Sequence, residues 1–220
     1  MAISAHAGSQ SAQIQARRPA WADMHRHYPS KAVATPTLYD QMIGGRFKKL
    51  YAQPAYANTC AVRMSYALNR SGLKLAKHPR SGSSIEGGDG YTYWIRVTDL
   101  KTYLIERFKG ADEELHLPAI SPSILDDNEA MSRQFKERVR QAEAWLTSKL
   151  RGRNGIVVFD VSGWGDASGH FTLWDGSTKT LAYADPHDDP TNNLYYFWLT
   201  ELRQPKSIVQ TTKVRFWELK

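Results

Sequence analysis

The chain carries one cysteine, Cys60, and seven histidines among 220 residues. A thiol attacks an amide only as thiolate, and an ordinary pKa of about 8.5 leaves a few per cent ionised near neutrality. Two devices raise that fraction: the partial positive charge at a helix N-terminus, and a neighbouring histidine that takes the proton. Asn58-Thr-Cys60 precedes apolar residues at helical spacing (Ala61, Met64, Leu68), which predicts a helix over about residues 59–73. Asn58 suits the N-cap and Gly72 the C-terminal stop. Cys60 then sits in the first turn, where unpaired amides could also hold a tetrahedral oxyanion. A lone cysteine is more often a small buried hydrophobe, so everything turns on a base.

His6, His25 and His27 lie in the N-terminal segment or at its edge, His78 in a Gly- and Ser-rich stretch, and His116 ahead of a proline-containing loop. His170 opens an apolar run directly behind Gly165 and Gly169, where another backbone or a substrate can come close. It also has a structural reading, as a satisfied core histidine. A helix cysteine, then a strand histidine, then an orienting acid or amide is the chain order of papain-type thiol hydrolases. Asp185-Pro-His-Asp-Asp189 offers oxygens and an imidazole, but its spacing fits neither an EF-hand nor a zinc pattern and reads as an exposed polar loop. No P-loop, dinucleotide fingerprint or zinc-protease helix is present in the sequence. The chemistry expected here needs no cofactor and no metal.

The elements that must position these groups change character along the chain. Residues 1–34, rich in Ala, Ser and Gln, read as a loosely ordered arm, and residues 35–220 as one domain. Residues 76–90 read as a long flexible loop. Thr98 is expected to cap a helix through Phe108 that stops at Gly110. A longer helix is expected over about residues 129–150, where Met131, Phe135, Val139, Ala142 and Leu146 recur every three to four positions. Gly155-Ile-Val-Val-Phe-Asp-Val161 suits a strand covered on both faces. Further strands are expected from His170 to Trp174, over residues 180–184 and 195–199, and from Lys213 to Leu219, with Asp175-Gly176 as a hairpin signal. Helices first and an antiparallel sheet last is an α+β pattern.

Lys and Arg number 29 against 22 Asp and Glu, a net charge of +7 that favours polyanionic partners such as the acidic cell wall. The charge is spread rather than blocked, which argues against nucleic acid. No apolar run approaches the roughly 18 residues of a bilayer span, so no membrane insertion is expected. Residues 1–15 lack the charged-then-apolar order of a cleavable signal peptide, so any export is expected to be signal-independent.

Ile43-Gly-Gly45, followed by Asn58-Thr-Cys-Ala-Val-Arg-Met-Ser-Tyr-Ala-Leu-Asn69 and Gly72, closely resembles the nucleophile segment of the type VI secretion amidase effectors of group four. Gly163-Trp164 through Ser168-Gly-His-Phe-Thr-Leu-Trp-Asp-Gly176 resembles that family's histidine segment. Tyr93-Trp-Ile-Arg-Val-Thr-Asp99 is similar to the stretch entering its middle helix. The resemblance spans about residues 35–219.

It implies a papain-like α+β fold of the NlpC/P60 kind. It also implies a cysteine peptidoglycan amidase, a DL-endopeptidase that cuts between D-glutamate and meso-diaminopimelate in stem peptides. The implied partners are that stem peptide, a type VI secretion apparatus, and a cognate periplasmic immunity protein that plugs the cleft. Such an antibacterial toxin is made in the cytoplasm and acts in the periplasm of the target cell. Cys60 matches the family nucleophile and His170 the family base. The family's aspartate follows the histidine strand, but the segment from Thr178 to Asp185 differs in length and lacks the cysteine pair of some relatives.

Asp185, at the end of the returning strand, is the candidate orienter; Asp175 reads as a turn residue, and Asp188 stays open. Trp164 reads as an apolar wall for the stem peptide or as a loop anchor. Arg63, on the nucleophile helix, could hold a carboxylate of the protein or of the substrate. Two other readings compete: a different Cys–His acyl transfer, and a non-catalytic wall- or partner-binding module that retains the fold.

Overall fold

The computed structural model describes residues 3–7, 10–14, 18–165, 167–184, 194–203 and 207–220, the first two stretches as backbone. The antiparallel hairpin β1 (Ile3–Ala7) and β2 (Gln10–Ile14) leads to a short helix α1 (Trp21–His27). A wide π-type turn at Thr37–Ile43 precedes α2 (Cys60–Arg70). The hairpin β3 (Ser84–Glu86) and β4 (Thr92–Trp94) enters α3 (Val97–Phe108). Then come β5 (Glu113–His116) and α4 (Asn128–Trp145), which Asp127 caps by accepting from the Ala130 amide at 2.9 Å. The last third supplies β6 (Gly155–Ser162), β7 (Gly169–Asp175), β8 (Thr180–Leu181), β9 (Thr200–Arg203) and β10 (Ser207–Glu218).

The main sheet is antiparallel, in the order β5-β10-β6-β7-β8, with β9 on the opposite end of β10 from β5. Alternation along β6 explains why its apolar run is unbroken. Ile156 and Val158 pack with α1, α2 and α3, whereas Val157, Phe159 and Val161 pack with α4 and the aromatic residues Tyr196 to Trp198. Helices therefore cover both faces, and the α+β expectation matches the observed layers. A third cluster of Leu38, Tyr39, Ile43, Phe47, Val62, Ile85 and Tyr93 sits beside α2.

Part of the segment read from composition as an arm packs against the rest of the chain. Met24 and Tyr28 are buried in the main core, the Trp21 amide donates to the Lys220 carbonyl, and Arg18 pairs with Asp112. Seven helical residues with two buried anchors carry too little periodicity to be seen in the sequence. Residues 76–90 are likewise not a loose loop. Their Gly and Ser residues build the β3–β4 hairpin, and a Cβ on Gly45 (φ +59°) would fall 2.5 Å from the Gly88 nitrogen. That contact joins the Ile43-Gly-Gly45 motif to the hairpin, and only glycine permits it. Residues 195–199, expected as a strand, instead form a 3-10 turn at Tyr195–Phe197, and pairing begins at Thr200. Burial of three successive aromatic rings overrides their strand propensity.

Candidate active site

Cys60 is the first residue of α2 and is 1% exposed. The expected Asn58 cap is long, with its Oδ1 3.5 Å from the Cys60 amide, and the helix begins from Thr59 instead. The Thr59 hydroxyl accepts from Arg63 Nε at 2.9 Å and lies 3.2 Å from the Tyr183 hydroxyl. The head of the nucleophile-candidate helix is thereby tied to the segment that follows β8.

His170 is the second residue of β7, opposite Phe159 of β6, and is also 1% exposed. Its Nε2 lies 3.0 Å from the Tyr183 carbonyl oxygen. A carbonyl can only accept, so Nε2 carries the proton and, in the neutral ring, Nδ1 carries the lone pair. The imidazole stacks on Tyr196 at 4.4 Å with planes 10° apart, and on Tyr183 at 5.6 Å and 23°. Gly169 allows β7 to approach β6 here: a Cβ would meet the Phe159 carbonyl oxygen at 2.1 Å. Thr59, the neighbour of Cys60, and His170 thus both contact Tyr183, one at its hydroxyl and the other at its carbonyl.

Among the described residues Arg63 holds no carboxylate. Its guanidinium donates to the carbonyls of Pro29, Ser30 and Val33 at 2.9–3.0 Å, and it lies 4.1 Å over the Tyr183 ring. Tyr28 reaches the same place from α1, donating to the Phe171 carbonyl at 3.3 Å. Burial pushes the Tyr28 and Tyr39 phenols well above their ordinary range, and both feel Cys60, Arg63 and Tyr183 electrostatically. Residues 28–33, read from composition as part of an arm, thus back the helix that carries Cys60.

Trp164 is half-buried and meets Tyr196 edge-on at 6.2 Å, one ring removed from His170. Asp175 accepts from the Ser177 and Thr178 amides in the β7–β8 turn, as its turn reading implies. Asp185 and Asp188, with the whole Asp185-Pro-His-Asp-Asp189 run, lie outside the described residues. Of the other histidines, His25 tilts against Trp21, His78 sits edge-on to Trp94, and His116 faces Glu114. Among the described residues no three His, Cys, Asp or Glu side chains gather as a metal site, and no helix is long and apolar enough to cross a membrane. Sequence reasoning missed Tyr183 and Tyr196. Both fell in runs read as strands, and nothing local marks a ring that packs on an imidazole.

The profile of the family described as type VI secretion system amidase effector protein 4, Tae4, matches residues 56–129 and 124–217. No curated protein matches the chain. Among solved structures, the type VI effector–immunity complex Tae4–Tai4 from Enterobacter cloacae is similar at 24% identity and TM-score 0.61, over 93% of this chain and 100% of that one. The effector Tae4 from Enterobacter cloacae is similar at 24% identity and TM-score 0.60, over 94% and 100%. Tae4 from Salmonella typhimurium, in complex with the Enterobacter cloacae immunity protein Tai4, gives 23% and 0.59, over 92% and 100%. At such identities the structural likeness speaks for the papain-like fold.

Proposed function

This chain belongs to the type VI secretion amidase effector 4 family, and on that premise we propose that it is a cysteine DL-endopeptidase of peptidoglycan. Cys60 is the nucleophile and His170 the base. His170 Nδ1 takes the thiol proton while Nε2–H stays bonded to the Tyr183 carbonyl, which fixes the tautomer. The thiolate attacks the D-glutamyl carbonyl, and backbone amides at the head of α2 hold the oxyanion. The diaminopimelate amine leaves with the proton from His170, and water then hydrolyses the acyl-enzyme. Asp185, two residues beyond the carbonyl that orients His170, is the carboxylate assigned to steady the imidazolium. Trp164 walls the stem peptide on the Tyr196 side.

One observation supports this reading: the 3.2 Å contact of Thr59 with the Tyr183 hydroxyl and the 3.0 Å contact of His170 with the Tyr183 carbonyl, which tie the residue before Cys60 and the imidazole to a single residue. The solved effector–immunity complexes of similar fold support a cognate immunity protein as partner. Delivery by type VI secretion into the periplasm of a target cell gives the enzyme its substrate. Digestion of purified peptidoglycan by wild type and Cys60→Ala, with mass spectrometry of the released muropeptides, tests the assignment. Wild type should release fragments cut between D-glutamate and diaminopimelate, and Cys60→Ala should lose about 10⁴-fold or more. A cut at another bond overturns the specificity, and undiminished release by Cys60→Ala overturns the nucleophile.

A further inference from the structure

Arg63 is 2% exposed, and its partners are three carbonyls, one hydroxyl and one ring, with no carboxylate among the described residues. A buried cation satisfied only by neutral acceptors keeps a desolvation cost that a nearby anion would offset. The ionisable groups around it are Tyr28 from α1, Tyr39 from the Thr37–Ile43 turn, Tyr183 after β8, and Cys60 on its own helix. His170 of β7 joins the cluster through Tyr183. Burial holds the Tyr28 and Tyr39 phenols protonated near neutrality, so neither supplies the missing anion. Cys60 precedes Arg63 by three residues, and helical geometry sets their Cβ atoms roughly 5–6 Å apart on adjoining faces of α2.

We propose that Arg63 is a positioning residue of the amidase centre: its guanidinium is the fixed counter-charge of the Cys60 thiolate and the brace of Tyr183, whose carbonyl orients His170. The proposal rests on the reading of Cys60 as nucleophile. Arginine suits the task because it does not deprotonate at any working pH, so the field at the thiol is constant. Its planar fork also fixes three carbonyls of residues 29–33 while its face lies on the Tyr183 ring, a pairing that lysine cannot reproduce. The former arm, the nucleophile helix and the histidine's acceptor are thereby registered through one side chain.

Cys60 is the sole cysteine, so the ultraviolet absorbance of its thiolate, read as a difference from Cys60→Ala, titrates this group alone. Arg63→Met should raise the midpoint of that titration by about one pH unit and lower kcat/KM at neutral pH about 10-fold. Arg63→Lys, which keeps charge but not the fork, should recover most of the midpoint. Thr59→Val removes the acceptor of Arg63 Nε without emptying the core, and should shift the midpoint in the same direction by less; it carries the test if Arg63→Met does not fold. An unmoved midpoint in folded Arg63→Met, or in Thr59→Val where that variant stands alone, overturns the proposal and leaves Arg63 a structural strut. Full amidase activity in Cys60→Ala would instead remove the nucleophile assignment, a result the titration does not mimic.

Discussion

Replacing Gly169 by alanine would set a methyl group 2.1 Å from the Phe159 carbonyl oxygen, with Val97 Cγ1 3.3 Å away. The backbone at Gly169 lies outside the left-handed region, so the cost is purely steric. Relief requires β7 to move from β6 by roughly 1 Å, at the pair Asp160–Gly169 and next to the pair Phe159–His170. Overpacking of this kind costs about 1–3 kcal/mol, which in a domain of this size lowers Tm by about 3–10 °C. The catalytic effect should be larger than the loss of stability. The imidazole rides on the displaced strand, and a 1 Å misplacement of a reacting group costs about 100-fold in rate. Urea unfolding followed by tryptophan fluorescence reads the first effect, and muropeptide release per folded molecule reads the second. Gly165→Ala is the control, because nothing among the described residues lies within 4 Å of its Cβ. Equal stability and equal turnover in the two variants would refute the close β6–β7 approach as the element that sets His170.

Arg138 is a second buried guanidinium, donating to the carbonyls of Pro118, Leu199 and Thr211 and to the Thr200 hydroxyl, and burial pulls its pKa down to about 10. Arg138→Met should cost about 2–4 kcal/mol in urea unfolding by orphaning those acceptors, with turnover per folded molecule unchanged. Burial pushes the Asp112 carboxyl up, but Arg18 and the Glu218 amide outweigh it and hold it below its ordinary value. The folded state then binds the proton less tightly than the unfolded chain. Asp112 therefore adds stability above about pH 4, lost as pH falls through its lower folded value. Asp112→Asn should flatten that acid limb in a series of thermal melts.

Much of this architecture was legible, and the reasons are local. Ala61, Met64 and Leu68 mark α2, and the uninterrupted apolar run of β6 announces a strand with both faces covered. The strand that bears His170 could be read from Phe171 to Trp174 and the Asp175 turn. What escaped was non-local. Residues 29–33 are held by their own carbonyls to Arg63, and a carbonyl is the same in every sequence. Tyr183 matters through one backbone oxygen and one ring, neither distinguishable in advance from those of its neighbours. The cap position falls one residue later than Asn58 because the Thr59 hydroxyl is held by Arg63 of its own helix and by Tyr183 from beyond β8.

The position of β10 fixes when the enzyme can exist. Residues 210–218 pair with β5 and β6, which precede them by about 50–100 positions, so the local β9–β10 hairpin cannot by itself close this sheet. A chain emerging in order, whether from a ribosome or after passage in an unfolded form, would hold β6 with a bare edge of unpaired amides until those residues arrived. Completion of the sheet that carries His170 thus waits for β10: until it pairs, the β6 edge is an adhesive surface.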